Sequence, residues 1–161
     1  MSTILVTGAA KGLGRAIYNA LVADNHEVIG YDRNFGHDIL KPEIACDKLD
    51  VLINCAGVNL IDWLENFTEE KWDEVMDVNA KGIFKMTQAY LPLLIESKGT
   101  VLNIVSNAAH MPMTCSLAYN ASKGAAHIMT LQLARELTKK HGITVFGISP
   151  NKLREIGRAH V

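Results

Sequence analysis

Short apolar runs alternate along the chain with longer segments in which apolar residues recur every three or four positions. Continuous apolar runs are typical of buried strands, and the longer periodicity is typical of helices. The predicted strands are residues 3–7, 27–31, 51–54, 101–105 and 143–148. The predicted helices are residues 13–24, 68–96 and 119–141.

This alternation predicts an α/β domain with a doubly wound parallel sheet, the Rossmann fold, in three layers with helices on both faces. Residues 32–51 are too few for a helix, a strand and a second helix. We therefore expect an abbreviated part of the sheet there, with a short strand at Asp38 and Ile39.

Length, charge and composition argue against several classes of function. A chain of 161 residues fits one domain, and its formal net charge of -1 gives no electrostatic case for binding nucleic acid or an anionic membrane. Its apolar runs are shorter than the roughly 20 residues of a membrane span. The three cysteines and six histidines lack metal-ligand spacing, so no metal site is predicted, and the cysteines are interpreted as reduced thiols of a cytoplasmic protein.

Three glycines, Gly8, Gly12 and Gly14, follow the first predicted strand and open the first predicted helix. Glycine lets the backbone approach a pyrophosphate closely, and a helix N-terminus offers free N–H groups to the anion. Asp32 ends the second strand, where a carboxylate can accept hydrogen bonds from ribose hydroxyls. These features predict a nicotinamide dinucleotide site. The alternative is a tight turn between strand and helix that binds no ligand.

The glycine spacing, preceded by Thr7, resembles the TGxxxGxG loop of the short-chain dehydrogenase/reductase family. Four further features fall in the order of that family. Asn54-Cys55-Ala56-Gly57 resembles its NNAG motif, with Cys55 in place of the second asparagine. The other three match the family's catalytic residues: Asn79, Ser106, and Tyr119 with Lys123 in a YxASK motif. The chain departs from the family at Pro150-Asn151, where the family has Pro-Gly.

The resemblance implies roles for these residues. Tyr119 is the expected general acid/base, Ser106 orients the substrate oxygen, and Asn79 anchors a water next to Lys123. Tyr119 and Lys123 are four positions apart on a predicted helix and share a face, and an ammonium near a phenol favours the phenolate. The expected cofactor-binding residues are Gly8, Lys11, Gly12, Leu13, Gly14, Asp32, Arg33, Asp38, Asn54, Ala56, Gly57, Tyr119, Lys123 and Pro150.

The choice between NAD and NADP depends on charges near the ribose. Asp32 would bond a free 2′-hydroxyl and repel a 2′-phosphate. Lys11 and Arg33 could instead pair with that phosphate. We expect NAD, with NADP as the alternative, because the carboxylate excludes the phosphate directly.

The expected function is hydride transfer between nicotinamide and a small alcohol or ketone substrate. The resemblance also implies a homodimer or homotetramer built on the two long helices. One alternative is a dinucleotide-binding module without catalysis, and another is a fragment that does not fold stably.

The chain ends soon after its last predicted strand, where members of the family continue. We therefore expect an incomplete domain, residues 1–155, without the last edge strand and substrate lid, and weak or absent activity. Residues 156–161 match one reading frame of a common sequencing-library adapter, which suggests a non-native tail. The alternative is an ordinary disordered basic tail.

Overall fold

The computed structural model describes residues 1–151. Within them a parallel sheet has the strand order β2-β1-β3-β4-β5. The strands are β1 Thr3–Thr7, β2 Glu27–Tyr31, β3 Val51–Asn54, β4 Thr100–Ile104 and β5 Thr144–Ile148. The helices are α1 Gly12–Ala23, α2 Glu69–Met76, α3 Gly82–Ser97 and α4 Leu117–His141. The predicted Rossmann fold is confirmed.

Strand β1 shows how the sheet separates two apolar layers. Its five residues are all buried. Ile4 and Val6 pack on one face with Ile17 of α1, whereas Leu5 packs on the other face with Met86 of α3. Successive strand side chains point to opposite faces, so one continuous apolar strand supports helices on both sides.

The chain reverses its direction of travel across the sheet at β1, whose neighbours are β2 on one side and β3 on the other. In open α/β sheets, ligands bind beyond the carboxyl ends of the strands at such a switch point. The glycine loop and the turn after β3 both lie at this position.

The long helical region predicted at residues 68–96 contains an interruption. Helix α2 begins after Thr68, whose side chain accepts a hydrogen bond from Lys71 N at 3.3 Å. A π-helical turn, Asp77–Lys81, then separates α2 from α3. Such a turn adds a residue to the helical repeat and changes the direction of the following side chains. Asn79 lies in this turn and is buried.

The predicted short strand at Asp38 and Ile39 is wrong. Residues Arg33–Phe35 form a 3₁₀ turn, and Oδ1 of Asp38 accepts a hydrogen bond from Leu40 N at 2.9 Å. This local side-chain bond competes with strand pairing and bends the chain. Ile39 is buried all the same, against Gly82 at the start of α3.

Two tyrosine hydroxyls hold the rest of this connection. Tyr31 accepts a hydrogen bond from Glu43 N at 2.8 Å, and Tyr90 accepts one from Ala45 N at 3.0 Å. Both hydroxyls also donate to the Glu43 carbonyl, at 3.3 and 2.9 Å. Burial raises the pKa of Tyr90 to about 12, so this phenol remains a donor at neutral pH. The two phenols thus attach an irregular segment to the core.

No helix within residues 1–151 is long and apolar enough to cross a membrane. The expected tail at residues 156–161 lies outside the described residues.

Candidate active site

The glycine loop is a tight turn that excludes side chains. Gly8 has a φ of +70°, in the left-handed region that favours glycine. A Cβ on Gly14 would collide with the carbonyl oxygen of Gly8. The first turn of α1 therefore lies directly against the end of β1, with its unbonded N–H groups at the cleft.

Thr7 joins the glycine loop to the turn after β3. Its hydroxyl accepts hydrogen bonds from Cys55 N at 2.9 Å and Ala56 N at 3.0 Å. It also lies 3.4 Å from the carbonyl of Ile53, to which it can donate. Thr7 was not among the predicted site residues, although its place before Gly8 in the loop motif could have indicated it.

Asp32 lies beside the loop with both carboxylate oxygens engaged. Oδ2 accepts from Ala10 N at 3.2 Å and Oδ1 accepts from Asn34 N at 2.9 Å. Each carboxylate oxygen can accept a second bond, so capacity for ribose hydroxyls remains. Arg33 lies 3.9 Å from Asp38 in an exposed ion pair, which leaves its guanidinium weakly held.

Asn79 connects the chain after β3 to α4. Its side-chain oxygen accepts from Val58 N at 2.8 Å, and its amide group donates to Val58 O at 2.8 Å and to Ser122 Oγ at 3.0 Å. Ser122 in turn donates to Tyr119 O at 2.8 Å. Ser122, which the sequence interpretation left without a role, therefore links Asn79 to the helical turn that carries Tyr119.

Lys123 lies almost fully buried one helical turn from Tyr119. Its Nζ donates to Ile104 O at 2.9 Å and lies 5.8 Å from the centre of the Tyr119 ring. Burial lowers the pKa of Lys123 from 10.5 to about 8, and the neighbouring Cys55 acts in the opposite direction. Burial also raises the pKa of Cys55 to about 11, so its thiol is neutral at pH 7.

Ser106 follows β4 and begins a 3₁₀ turn, Asn107–Ala109, in which its hydroxyl accepts from Ala108 N at 3.1 Å. A backbone bond from Asn107 N to Pro150 O, at 3.2 Å, places the end of β5 next to this turn. The predicted Pro150 thus lies beside the catalytic candidates.

A single cleft of about 1180 Å³ brings most of the predicted residues together. Those that line it are Gly8, Lys11, Gly12, Leu13, Gly14, Asp32, Arg33, Ala56, Gly57, Ser106, Tyr119, Lys123 and Pro150. Three others, Asp38, Asn54 and Asn79, are not among its lining residues. Asn79 lies behind the wall, bonded to Val58, which does line the cleft.

Asn54 belongs to a buried line of polar side chains below the cleft. Its amide donates to Asn103 Oδ1 at 2.9 Å, and Asn103 donates to Thr130 Oγ1 on α4 at 2.9 Å. Thr130 completes the line by donating to Ala126 O at 2.7 Å. The role this geometry shows for Asn54 is to connect β3, β4 and α4.

The residues present fit a dinucleotide. The Gly8–Gly14 contact leaves a side-chain-free cradle at a helix N-terminus, which suits a pyrophosphate. A Cβ on Gly57 would lie 3.4 Å from Asn79 Oδ1 and 3.8 Å from Lys123 Nζ. Gly57, which lines the cleft, therefore lies beside both Asn79 and Lys123.

Comparison with known proteins identifies the family. The family profile described as short chain dehydrogenase matches residues 41–154. The chain belongs to the short-chain dehydrogenase family. An uncharacterized oxidoreductase of Staphylococcus epidermidis is 30% identical over 174 residues, covering 91% of this chain and 75% of the relative. One from Staphylococcus aureus is 32% identical over 175 residues, with the same coverage.

Solved structures agree with this assignment. A 4-hydroxyisoleucine dehydrogenase complexed with NADH superposes with a TM-score of 0.83 at 27% identity, covering 93% of this chain and 75% of that one. A short-chain dehydrogenase from Streptomyces avermitilis gives a TM-score of 0.85 at 29% identity, covering 95% and 66% of the two chains. The chain is thus an oxidoreductase family member with a dinucleotide-binding Rossmann fold.

Proposed function

We propose that the chain is an NAD-dependent oxidoreductase that interconverts a small alcohol and its ketone or aldehyde. The carrying observation is that Ser106, Tyr119 and Lys123 line the same cleft as the glycine loop. The NADH bound to the structurally similar 4-hydroxyisoleucine dehydrogenase supports a nicotinamide dinucleotide here.

When bound, the dinucleotide supplies or accepts the hydride. The glycine cradle at the start of α1 would hold its pyrophosphate, and Asp32 would accept hydrogen bonds from its adenosine ribose. Lys123 lines the same cleft, where its ammonium would bond the other ribose.

The protein's own contribution is proton transfer and orientation at the substrate oxygen. Tyr119 donates its phenolic proton to the oxygen during reduction and takes it back during oxidation. Ser106 donates a hydrogen bond to the same oxygen as negative charge develops there. Lys123, held next to the ring, stabilises the phenolate electrostatically.

Tyr119→Phe tests the catalytic role. For any alcohol or ketone that the unaltered chain turns over in a substrate screen, we expect turnover to fall at least about 100-fold, because the general acid/base is lost. NADH binding, followed by fluorescence titration, should remain. Tyr18→Phe on α1 is the matched control, because that residue does not line the cleft.

Retained turnover in Tyr119→Phe would refute the proposed roles. If the unaltered chain binds NADH but turns over none of the substrates, the alternative of a non-catalytic binding module is supported instead.

The cofactor preference is tested by titrating NADH and NADPH against the chain and against Asp32→Ser. We expect NADH to bind at least about tenfold more tightly than NADPH, because the carboxylate repels a 2′-phosphate. Asp32→Ser should remove this preference, since serine can still accept from a backbone N–H. Asp24→Ser is the control, because Asp24 is exposed and does not line the cleft. Equal affinities in the unaltered chain would contradict the preference for NAD.

A further inference from the structure

The segment between Ser106 and α4 forms part of the cleft wall without regular secondary structure over most of its length. After the 3₁₀ turn Asn107–Ala109, no helix or strand is present until Leu117. Met113 in this segment lines the cleft. Cys115 has a φ of +58°, a strained conformation for a residue with a Cβ. Such a segment needs contacts elsewhere to keep one position.

Asn120, on the first turn of α4, supplies three such contacts, beside a bond from Asp62 N to Cys115 O at 3.0 Å. Its side-chain amide donates to Ala108 O and to Met111 O, both at 2.7 Å. Its side-chain oxygen lies 3.4 Å from Met113 N, which can donate to it. Both donors and the acceptor of this one amide are therefore directed to the segment that follows Ser106.

The same bonds connect the two catalytic candidates. Ser106 Oγ accepts from Ala108 N, and Ala108 O accepts from Asn120, the residue next to Tyr119. A displacement of Ala108 would therefore move the serine hydroxyl relative to the tyrosine. Small misplacements of reacting groups can cost large factors in rate.

We propose that Asn120 is a positioning residue that fixes Ser106 and Met113 relative to Tyr119. The inference rests on the proposed function, since it assigns Asn120 a part in arranging that same site. Asparagine suits this position because two donors and one acceptor are needed on one short planar group. Aspartate has almost the same shape, but its ionised form offers no donor to the two carbonyls.

The decisive comparison is between Asn120→Asp and Asn120→Ala. If the hydrogen bonds of Asn120 position the site, Asn120→Asp should have a lower kcat/KM than Asn120→Ala, because the aspartate charge faces the carbonyls of Ala108 and Met111. If only the side-chain volume of Asn120 is important, the kcat/KM of Asn120→Asp should equal that of the unaltered chain. Asn19→Ala, at an exposed position on α1, is the matched control.

With the substrate found in the turnover screen, we expect kcat/KM to fall about tenfold or more in Asn120→Ala and further in Asn120→Asp. The dissociation constant for NADH should stay unchanged, since the side chain of Asn120 bonds neither the glycine loop nor Lys123. An aspartate variant as active as the unaltered chain would overturn the proposal. So would a loss of NADH binding in both variants, because that would indicate a general structural role.

Hydrogen exchange measured by mass spectrometry gives a readout that needs no turnover. In Asn120→Ala and Asn120→Asp, deuterium uptake should be higher than in the unaltered chain for peptides covering residues 107–116. For peptides covering residues 8–14 it should be the same as in the unaltered chain. Unchanged uptake at 107–116 would refute the anchoring role. If the unaltered chain has no turnover, the proposed function fails, while this exchange result still decides whether Asn120 anchors the segment.

Discussion

At the phosphate-loop end of the cleft the geometry is set by the backbone, whereas at the Ser106–Tyr119 end it is set by side-chain amides. The first end depends on the absence of side chains at Gly8 and Gly14. The second depends on Asn79 and Asn120, which bond backbone groups of neighbouring segments. We therefore expect the geometry of the first end to be disrupted by added side-chain atoms, and that of the second end by the loss of hydrogen-bond donors.

Gly14→Ala should have the largest effect on the cofactor end. The added methyl group meets the carbonyl oxygen of Gly8, which is backbone and cannot rotate away. We expect a loss of about 1–3 kcal/mol in the free energy of unfolding, as is typical of overpacking. NADH affinity should fall about 100-fold, because the start of α1 must move relative to the loop.

Urea unfolding and fluorescence titration measure these two quantities, and Gly124→Ala is the control because a Cβ there meets no atom within 4 Å. Normal NADH affinity in a folded Gly14→Ala variant would show that the loop adapts. That result would contradict the conclusion that the phosphate-loop end depends on the absence of a side chain at Gly14.

A smaller effect of about 1 kcal/mol on the free energy of unfolding is expected from Lys123 at the Ser106–Tyr119 end. Its pKa is about 8 in the folded chain, against an ordinary value of 10.5. Above pH 8 the folded chain loses this proton while the unfolded chain retains it, so the free energy of unfolding should rise with pH. The rise approaches about 1.4 kcal/mol per pH unit. From pH 8 to 9 we expect a gain of about 1 kcal/mol.

The predicted rise in the free energy of unfolding levels off above about pH 9, because Cys55 then acts in the opposite direction. Its pKa is raised from 9.0 to about 11, so the unfolded chain ionises this thiol first and the loss offsets the gain from Lys123. Lys123→Met should abolish the rise between pH 8 and 9, and the exposed Lys139→Met on the same helix should preserve it. A rise that persists in Lys123→Met belongs to another group.

The backbone-determined end was predictable from the sequence almost in full. Glycine spacing reports directly on where a side chain cannot fit, so Gly8, Gly12 and Gly14 located the loop. The continuous apolar strands predicted the parallel sheet for the same reason, because their pattern follows from burial on both faces.

The supports of the Ser106–Tyr119 end were harder to predict. Ser106, Tyr119 and Lys123 were proposed from the resemblance, but the bonds of Asn120 span 7 to 12 positions and depend on how a loop folds back. The strand predicted at Asp38 does not form. The apolar pattern there is weak, and the bond from Leu40 N to the Asp38 side chain stabilises a bend instead. The π-helical turn at Asn79 carries no simple sequence signal.

Because two tyrosines attach the connection between β2 and β3 to the core, this attachment should be insensitive to salt concentration. The ion pairs Arg33–Asp38 and Lys48–Asp50, near the two ends of that connection, involve exposed cations and are screened as ionic strength rises. The hydroxyls of Tyr31 and Tyr90 are neutral and bond backbone groups of residues 43–45, so ionic screening leaves their bonds intact. The connection between β2 and β3 therefore stays attached to the core in concentrated salt as in dilute buffer.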